Sequence, residues 1–244
     1  MASIDPARAL TFGRLADEYE RWRPGYPEEA VEWLAPRAPA RVADVGAGTG
    51  KLTAQLLQRG LEVESVDPDP AMLAVLERAN PRAVGHFAAA DALPIDDGSL
   101  EAILVADAWH WFPIDTAVAE VRRTLSPGGW LGLVWNHVTP VEWWEVALAA
   151  LDPDQKGFGK PEPAPLPFPE TETEVATFPW TWHLTPQHFR GYLSTNSAVI
   201  GMEEGQRRDR LDSATDLLVE VCAALGSTTV PLHHEAACLE WSPR

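Results

Sequence analysis

Three glycines, at positions 46, 48 and 50, stand between an apolar stretch at 42–45 and a helical pattern that begins at Lys51. A glycine turn between a buried strand and a helix N-terminus lets backbone N–H groups approach a ligand closely. The dinucleotide fingerprint would need its third glycine at position 51, where this chain has lysine. The turn therefore favours a small ligand with a carboxylate over a pyrophosphate, and a plain strand-to-helix turn is the alternative.

Two aspartates follow the next apolar stretches along the chain. Asp67 ends the second predicted strand, where an ionised carboxylate can accept hydrogen bonds from both hydroxyls of a ribose. Asp91, between Ala90 and Ala92, is placed to bind the exocyclic amine of an adenine. Alternatively, Asp67 is a turn residue before Pro68, and Asp91 is a loop cap. Together with the glycines, the two carboxylates predict a site for a nucleoside-bearing ligand.

Aromatic and histidine side chains follow the fourth and fifth predicted strands. Trp109, His110 and Trp111 come after the fourth, and His137 comes after the fifth. Histidine is the usual general base near neutral pH, so His110 is either a base or a structural residue in an aromatic wall, and His137 is a second candidate. The two tryptophans either line a pocket, where they could stabilise a cation, or fill the core.

The elements that must position these residues alternate between strand and helix. We predict strands at 42–45, 61–66, 83–88, 100–106 and 130–135, with helices at 51–59, from Pro70, and around 117–125, stopped by residues 126–129. Near-continuous apolar strands separated by helices indicate a parallel sheet covered on both faces. Ligands bind such sheets beyond the carboxyl ends of the strands, where the glycines, aspartates and histidines above all fall.

The remaining segments are expected to belong to the same single domain, 1–244. Residues 1–36 should form N-terminal cap helices, at 6–21 and 27–35, that cover the site. Helices at 141–151, 186–193 and 203–225 and strands at 173–184 and 228–241 add to the sheet. The proline-rich stretch 152–170 is predicted to be a loop or lid without regular structure.

Composition limits the partners. The net charge of −17 argues against nucleic acid and against an anionic membrane surface. Cys222 and Cys238 have no metal-site spacing, so we expect two buried free thiols and no metal. No apolar run is long enough to span a membrane, and we expect a cytoplasmic monomer or homodimer.

Five segments together resemble the class I S-adenosylmethionine-dependent methyltransferases: 44–50, 66–68, 90–94, 106–112 and 120–129. The N-terminal motif at Tyr19, Arg23-Pro24 and Tyr26-Pro27, with the His-Trp-Phe at 110–112, is similar to the small-molecule subgroup that includes trans-aconitate-like methyltransferases. The resemblance implies an α/β fold with a doubly wound, mostly parallel seven-stranded sheet and helices on both faces. It also implies S-adenosyl-L-methionine as cofactor and S-adenosyl-L-homocysteine as product.

The resemblance implies roles for individual residues. Asp44 and the glycine turn would hold the methionine part, and Asp67 the ribose. Tyr19 and Arg23 would close over the carboxylate of the cofactor, although Arg23 could instead be a solvent-facing turn residue. The implied cofactor-binding residues are Tyr19, Arg23, Asp44, Gly46, Ala47, Gly48, Thr53, Asp67, Pro68, Met72, Ala90, Asp91, Ala92, Ala106, Asp107 and Ala108. The implied substrate-binding residues are Trp109, His110, Trp111 and His137, with His110 as the catalytic candidate.

The chain departs from the subgroup at three positions. Asp107, Pro113 and His137 stand where the subgroup usually has glutamine, aspartate and arginine. The missing basic residue at 137 disfavours a polycarboxylate substrate. The expected function is methyl transfer to an oxygen, nitrogen or carboxyl group of a small molecule. Alternatives are a different reaction with the same cofactor, such as a cyclisation in natural-product biosynthesis, a nicotinamide-dependent oxidoreductase, which Lys51 disfavours, and a non-catalytic interaction protein.

Overall fold

A single seven-stranded sheet organises the molecule. The computed structural model describes residues 12–35, 41–150 and 167–243. The strands are β1 (Arg41–Val45), β2 (Glu62–Asp67), β3 (Val84–Phe87), β4 (Leu100–Ala106), β5 (Leu125–Val138), β6 (Thr173–Leu184) and β7 (Val230–Trp241). Their order is β3-β2-β1-β4-β5-β7-β6. The first five run parallel, and β7 is antiparallel to both β5 and β6. The predicted fold class is confirmed.

Helices cover the sheet and connect its parallel strands. They are α1 (Ala16–Trp22), α2 (Glu28–Leu34), α3 (Lys51–Gln58), α4 (Pro70–Ala79), α5 (Ile114–Thr124), α6 (Trp143–Ala150), α7 (Pro186–Ser194), α8 (Ser197–Ile200) and α9 (Glu204–Leu225). Helices α3, α4 and α5 each follow the carboxyl end of a parallel strand. Their N-termini therefore lie at the edge of the sheet where the sequence places the candidate site residues.

Buried side chains on both faces explain the continuous apolar strands. In β4, Ile103 and Val105 belong to the hydrophobic cluster on one face, and Ala102 and Leu104 to the cluster on the other. Successive residues of a strand point to opposite faces, so a sheet covered on both sides needs apolar residues at every position. The fully buried Trp241 extends the first cluster under β7.

Local signals at two helix starts act as the sequence indicates. Gly50 precedes α3 in a left-handed conformation, with φ of 87°, which only glycine adopts readily. Asp69 caps α4 by accepting a hydrogen bond from Ala71 N at 2.9 Å, and Pro70 is the first helical residue. Both starts place a strand end directly beside a helix N-terminus.

The predicted break between α5 and β5 is wrong in detail. β5 begins at Leu125 and includes residues 126–129, which were expected to separate helix from strand. Leu100 of β4 pairs with Leu125, whereas Ala102 pairs with Trp130, so the extra residues form a bulge. Gly128, with φ of 81°, permits this irregularity. At its other end β5 extends to Val138, three residues beyond the predicted end.

Other boundaries differ modestly. A short 3-10 turn, Phe12–Leu15, precedes α1 within the predicted helix 6–21, and residues 6–11 lie outside the described part. Helix α8 was not predicted; Asn196 caps it through Ala198 N. Of the predicted loop or lid at 152–170, residues 152–166 also lie outside the described part. Both cysteines are buried and free, as expected.

Candidate active site

The glycine turn and Asp67 are joined directly. Gly48 N donates to Asp67 Oδ2 at 2.8 Å, and Asp69 N donates to Asp67 Oδ1 at 2.9 Å. Gly48 has φ of 55°, and a Cβ built there would meet nothing within 4 Å, so the turn opens onto free space. Burial raises the pKa of Asp67 to about 6, although the two hydrogen bonds lower it. The carboxylate is thus fixed at the end of β2 beside an open cradle of backbone.

Asp44 is a buried acceptor at the end of β1. Its side chain is 1% exposed; Oδ2 accepts from Thr53 Oγ1 at 2.6 Å, while Oδ1 has no partner in the described part of the chain. Burial raises its pKa to about 7. Thr53 itself is fully buried and also contacts Ser65 Oγ. It therefore meets Asp44 and not the cleft, so any effect on a ligand would act through that carboxylate.

The end of β3 places the adenine candidates in a loop tied to α5. Ala90 is buried, and Asp91 and Ala92 are exposed. Glu120 fixes this loop by accepting from Leu93 N at 2.8 Å. Asp91 is exposed in this loop and is therefore accessible to a ligand.

Asp107 stands at the end of β4, across from the glycine turn. Gly46 packs so closely on Ala108 that a Cβ at Gly46 would lie 2.6 Å from that of Ala108. Asp107 itself is half-buried and has φ of 51°, the single positive φ of a non-glycine residue in the described part. Its Oδ2 accepts from Tyr26 Oη at 2.9 Å. Burial raises its pKa to about 6.

An N-terminal strap, residues 12–27, crosses the cleft between these strand ends. A Cβ at Gly13 would lie 2.2 Å from the Asp69 carboxylate, which places the start of the strap against the end of β2. Further along, Glu20 pairs with Lys51 at 3.0 Å, at the start of α3. Trp22 then packs on Gly191 of α7. The strap therefore runs from β2 past the glycine turn to the C-terminal helices.

Arg23 lies inside this cover, between two tyrosine rings. Its guanidinium carbon is 5.1 Å from the centroid of Tyr19 and 4.9 Å from that of Tyr192. Nε and Nη2 donate to Thr195 Oγ1 and O at 2.9 and 2.8 Å. Burial raises the pKa of the Tyr19 hydroxyl; Arg23 opposes this, and Asp107 and Asp67 add to it. Arg23 is half-buried and is not a solvent-facing turn residue.

Two polar residues fix the strap: Gln55, which the sequence did not single out, and Asn136, which follows the fifth predicted strand. Gln55 clamps Tyr26 by accepting from its N at 3.0 Å and donating to its O at 2.7 Å. Asn136 donates through Nδ2 to Gly25 O at 3.0 Å and through its backbone N to Asp107 Oδ1 at 3.2 Å. These hydrogen bonds join residues that are distant in sequence, so no local sequence pattern predicts them.

The aromatic and histidine candidates divide between wall and core. Trp109 is 4% exposed and packs in the core against Phe112 and Phe168, at centroid distances of 5.6 and 5.7 Å. His110 is exposed, 4.9 Å from the ring of Trp111, and desolvation by the surrounding protein lowers its pKa. His137 is half-buried at the end of β5, in register with Glu235 of β7.

The residues present fit the amino-acid and nucleoside parts of S-adenosyl-L-methionine. The buried, unpartnered Asp44 Oδ1 suits the ammonium group, and the open space at Gly48 leaves room beside Asp67 for a ribose. The described residues contain no cluster of side chains that could hold a metal ion. No helix in the described ranges is long and apolar enough to cross a membrane.

Comparison with known proteins identifies the same architecture. A family model described as a methyltransferase domain matches residues 43–133. An uncharacterized methyltransferase of Mycobacterium tuberculosis is 41% identical over 236 residues, covering 95% of each chain. The match therefore extends through the strap and the C-terminal strands, beyond the segment that the family model covers.

Solved structures agree. A putative type II methyltransferase from Anaeromyxobacter dehalogenans is 29% identical, with a TM-score of 0.67, covering 91% of this chain and 97% of that one. Phosphoethanolamine N-methyltransferase 2 of Haemonchus contortus, in complex with S-adenosyl-L-methionine, shares the fold at 17% identity, with a TM-score of 0.54, covering 97% of this chain and 60% of its own. The cradle at the strand ends, the full-length relative and the shared fold agree, and the chain belongs to the class I S-adenosylmethionine-dependent methyltransferases.

Proposed function

We propose that this methyltransferase acts on a small molecule inside the cleft beneath the N-terminal strap. The carrying observation is the way the strap is held on both sides: Tyr26 bonds to Asp107 and Gln55, and Asn136 bonds to Gly25. A macromolecular acceptor would need an open approach to the strand ends. A small acceptor needs only space within the cover, and the strong negative charge of the chain disfavours a nucleic acid.

The cofactor is proposed to lie along the carboxyl ends of β1 to β4. Asp44 and the glycine turn would hold the methionine part, Asp67 the ribose and Asp91 with Ala92 the adenine edge. Pro68 and Met72 would flank the adenine; Met72 is buried against the strap near Tyr19. The supporting observations are the hydrogen bond from Gly48 N to Asp67 and the buried Asp44 Oδ1, which has no partner in the described part.

When bound, the cofactor supplies a methyl group on a sulfonium, with a neutral leaving group. What remains for the protein is to align the acceptor and exclude water. The strap provides the cover. His110 is the proposed base or hydrogen-bond donor, because it follows β4 beside Trp111 and desolvation lowers its pKa, which favours the neutral imidazole that a base requires. A carboxylate or neutral amine acceptor would need little help from such a base.

The similarity to the trans-aconitate-like subgroup supports the small-molecule assignment but not its substrate. His137 stands where that subgroup usually has arginine, and an imidazole cannot bind a carboxylate with the fixed bidentate fork of a guanidinium. We therefore propose an acceptor with at most one carboxylate.

The proposal is tested by following the label from methyl-tritiated cofactor into a cell extract separated into small-molecule and macromolecular fractions. We expect label in the small-molecule fraction and stoichiometric S-adenosyl-L-homocysteine. Label in protein or RNA would overturn the proposed substrate class. With the acceptor in hand, His110→Ala should lose turnover while the affinity for S-adenosyl-L-homocysteine holds; unchanged turnover would remove the base role.

A further inference from the structure

Three charged side chains border the cleft without a salt bridge among the described residues. Asp44, Asp107 and Arg23 form no ion pair within 4 Å there, although the strap forms two, Lys51–Glu20 and Arg78–Asp17. Arg23 acts on Asp107 only from a longer distance, where its charge lowers the pKa of that carboxyl group. Each is held by neutral groups instead: Asp44 by Thr53, Asp107 by Tyr26 and Asn136, and Arg23 by Thr195. Charges enclosed in this way are costly unless a ligand completes the pairing.

The number and sign of these charges match the amino-acid end of S-adenosyl-L-methionine. That end carries an ammonium, a carboxylate and a sulfonium at neutral pH. The ammonium suits Asp44 Oδ1, which has no partner in the described part, and the carboxylate suits Arg23, whose hydrogen bonds to Thr195 use Nε and Nη2. The sulfonium is then left for Asp107, on the wall opposite the glycine turn.

Both the backbone and the carboxylate of Asp107, directly after β4, are held in fixed orientations. Its left-handed backbone, with φ of 51°, costs about 1 kcal/mol for a non-glycine residue and persists only where neighbours enforce it. Here Tyr26 and Asn136 each bind one carboxylate oxygen, and Gln55 fixes Tyr26 in turn. Such strain at a site edge indicates that the direction of the carboxylate matters.

We propose that Asp107 is the counter-charge of the sulfonium and lets the protein distinguish S-adenosyl-L-methionine from S-adenosyl-L-homocysteine. Transfer removes the methyl group and, with it, the positive charge on sulfur, and the two molecules share the rest of their structure. A carboxylate beside that atom therefore favours the substrate form and promotes release of the product form. The resembling subgroup usually has an uncharged glutamine at this position. The inference rests on the proposed placement of the cofactor and is independent of the acceptor.

The test is isothermal titration of each ligand into wild type and Asp107→Asn at pH 8. Asparagine keeps the shape and can still accept from Tyr26 Oη, although its amide nitrogen cannot accept from Asn136 N as Asp107 Oδ1 does. We expect the affinity for S-adenosyl-L-methionine to fall about tenfold, and that for S-adenosyl-L-homocysteine to change less than about twofold, as for loss of one nearby charge that solvent largely screens. Equal losses for both ligands would overturn the proposal.

Asp67→Asn is the matched control, because the ribose it would hold is common to both ligands. It should weaken both about equally. The wild-type protein supplies a test that needs no variant: an aza analogue with a protonated nitrogen in place of sulfur should bind more tightly than the neutral thioether. An equal affinity would contradict the role of Asp107. Failure of every ligand to bind would instead contradict the placement of the cofactor.

Discussion

Individual carboxylates in the cleft are held in an environment that opposes their charge. Burial raises the pKa of Asp44 to about 7 and those of Asp67 and Asp107 to about 6. A cationic ligand in the proposed position would offset this burial of charge. The site is therefore less stable without its ligand than an equally packed neutral site would be, which is a common cost of function.

This cost should appear in the pH dependence of the ligand-free protein. The pKa of Asp44 is higher in the folded than in the unfolded chain, so the folded state binds the proton more tightly. The contribution of Asp44 to the free energy of unfolding therefore falls as pH rises from about 4 to about 7. Relative to wild type, Asp44→Asn should gain about 3 kcal/mol between pH 4.5 and pH 8, measured by urea unfolding.

Asp91→Asn is the control for that measurement, since Asp91 is exposed at the same edge of the sheet. It should show no comparable gain. A difference between Asp44→Asn and wild type that does not change with pH would show that Asp44 is not a destabilising charge in the folded state.

At the scale of elements, the strand–turn–helix unit of β1 and α3 contains Gly50, which packs closely against α4. A Cβ at Gly50 would lie 2.7 Å from Leu76 Cγ and 2.9 Å from Asn80 Nδ2, both of α4 or its cap. Gly60 has nearly the same φ, 84° against 87°, but nothing lies within 4 Å of its Cβ position. Comparing alanine substitutions at Gly50 and Gly60 therefore distinguishes the cost of backbone strain from the cost of close packing.

We expect Gly60→Ala to cost about 1 kcal/mol, from the positive φ alone, and Gly50→Ala about 3 kcal/mol, because the methyl group also displaces Leu76. Chemical denaturation of both variants measures the difference. Similar costs would show that α4 moves aside easily and that the packing of the turn on α4 is loose.

The strap makes a second prediction at this scale. A Cβ at Gly191 would lie 2.2 Å from a ring atom of Trp22, so Gly191→Ala should lift α1 from α7 and reduce stability by about 2 kcal/mol. Calorimetry should show weaker binding of S-adenosyl-L-homocysteine, since the strap covers the cleft. Gly205→Ala, in α9 with nothing within 4 Å, should be neutral or stabilising. If Gly191→Ala binds S-adenosyl-L-homocysteine with unchanged affinity, the strap does not contribute to cofactor binding.

The elements themselves were largely predictable, and their connections were not. β4 and β6 have the bounds that the sequence indicates, because period and turn residues are local signals. The bulge after Leu125 was missed, since the pairing that creates it lies in β4. The clamps by Gln55 and Asn136 were missed for the same reason, because they join the strap to residues 29 and 111 positions away. Trp109, equally suited to pocket or core by type, lies in the core.

For the whole molecule, charge and topology set the environment of the site. The excess of 36 acidic over 19 basic residues gives −17, and the arginine in the cleft is surrounded by tyrosines. Strands β6 and β7 extend the parallel sheet. Helices α7 to α9 connect these two strands, and α7 packs against the strap. The C-terminal third thereby closes a cleft that the parallel half alone would leave open at Arg23.

We expect this charge to exclude nucleic acid. Fluorescence anisotropy with labelled duplex DNA and with RNA should show no binding at low salt, where phosphate attraction is strongest. Binding that weakens steeply with added salt would contradict the expectation and would indicate a local basic surface able to overcome the overall charge.

The meeting of Tyr19 and Tyr192 around Arg23, with Tyr26 on Asp107, has a practical consequence. The chain contains three tyrosines in all, and each of them lies at the cleft. Uniform labelling with fluorotyrosine would therefore give three fluorine resonances, all reporting on the site and none on the rest of the molecule. Closure of the strap, entry of a ligand and the ionisation state beside Asp107 could be followed spectroscopically without introducing a single substitution.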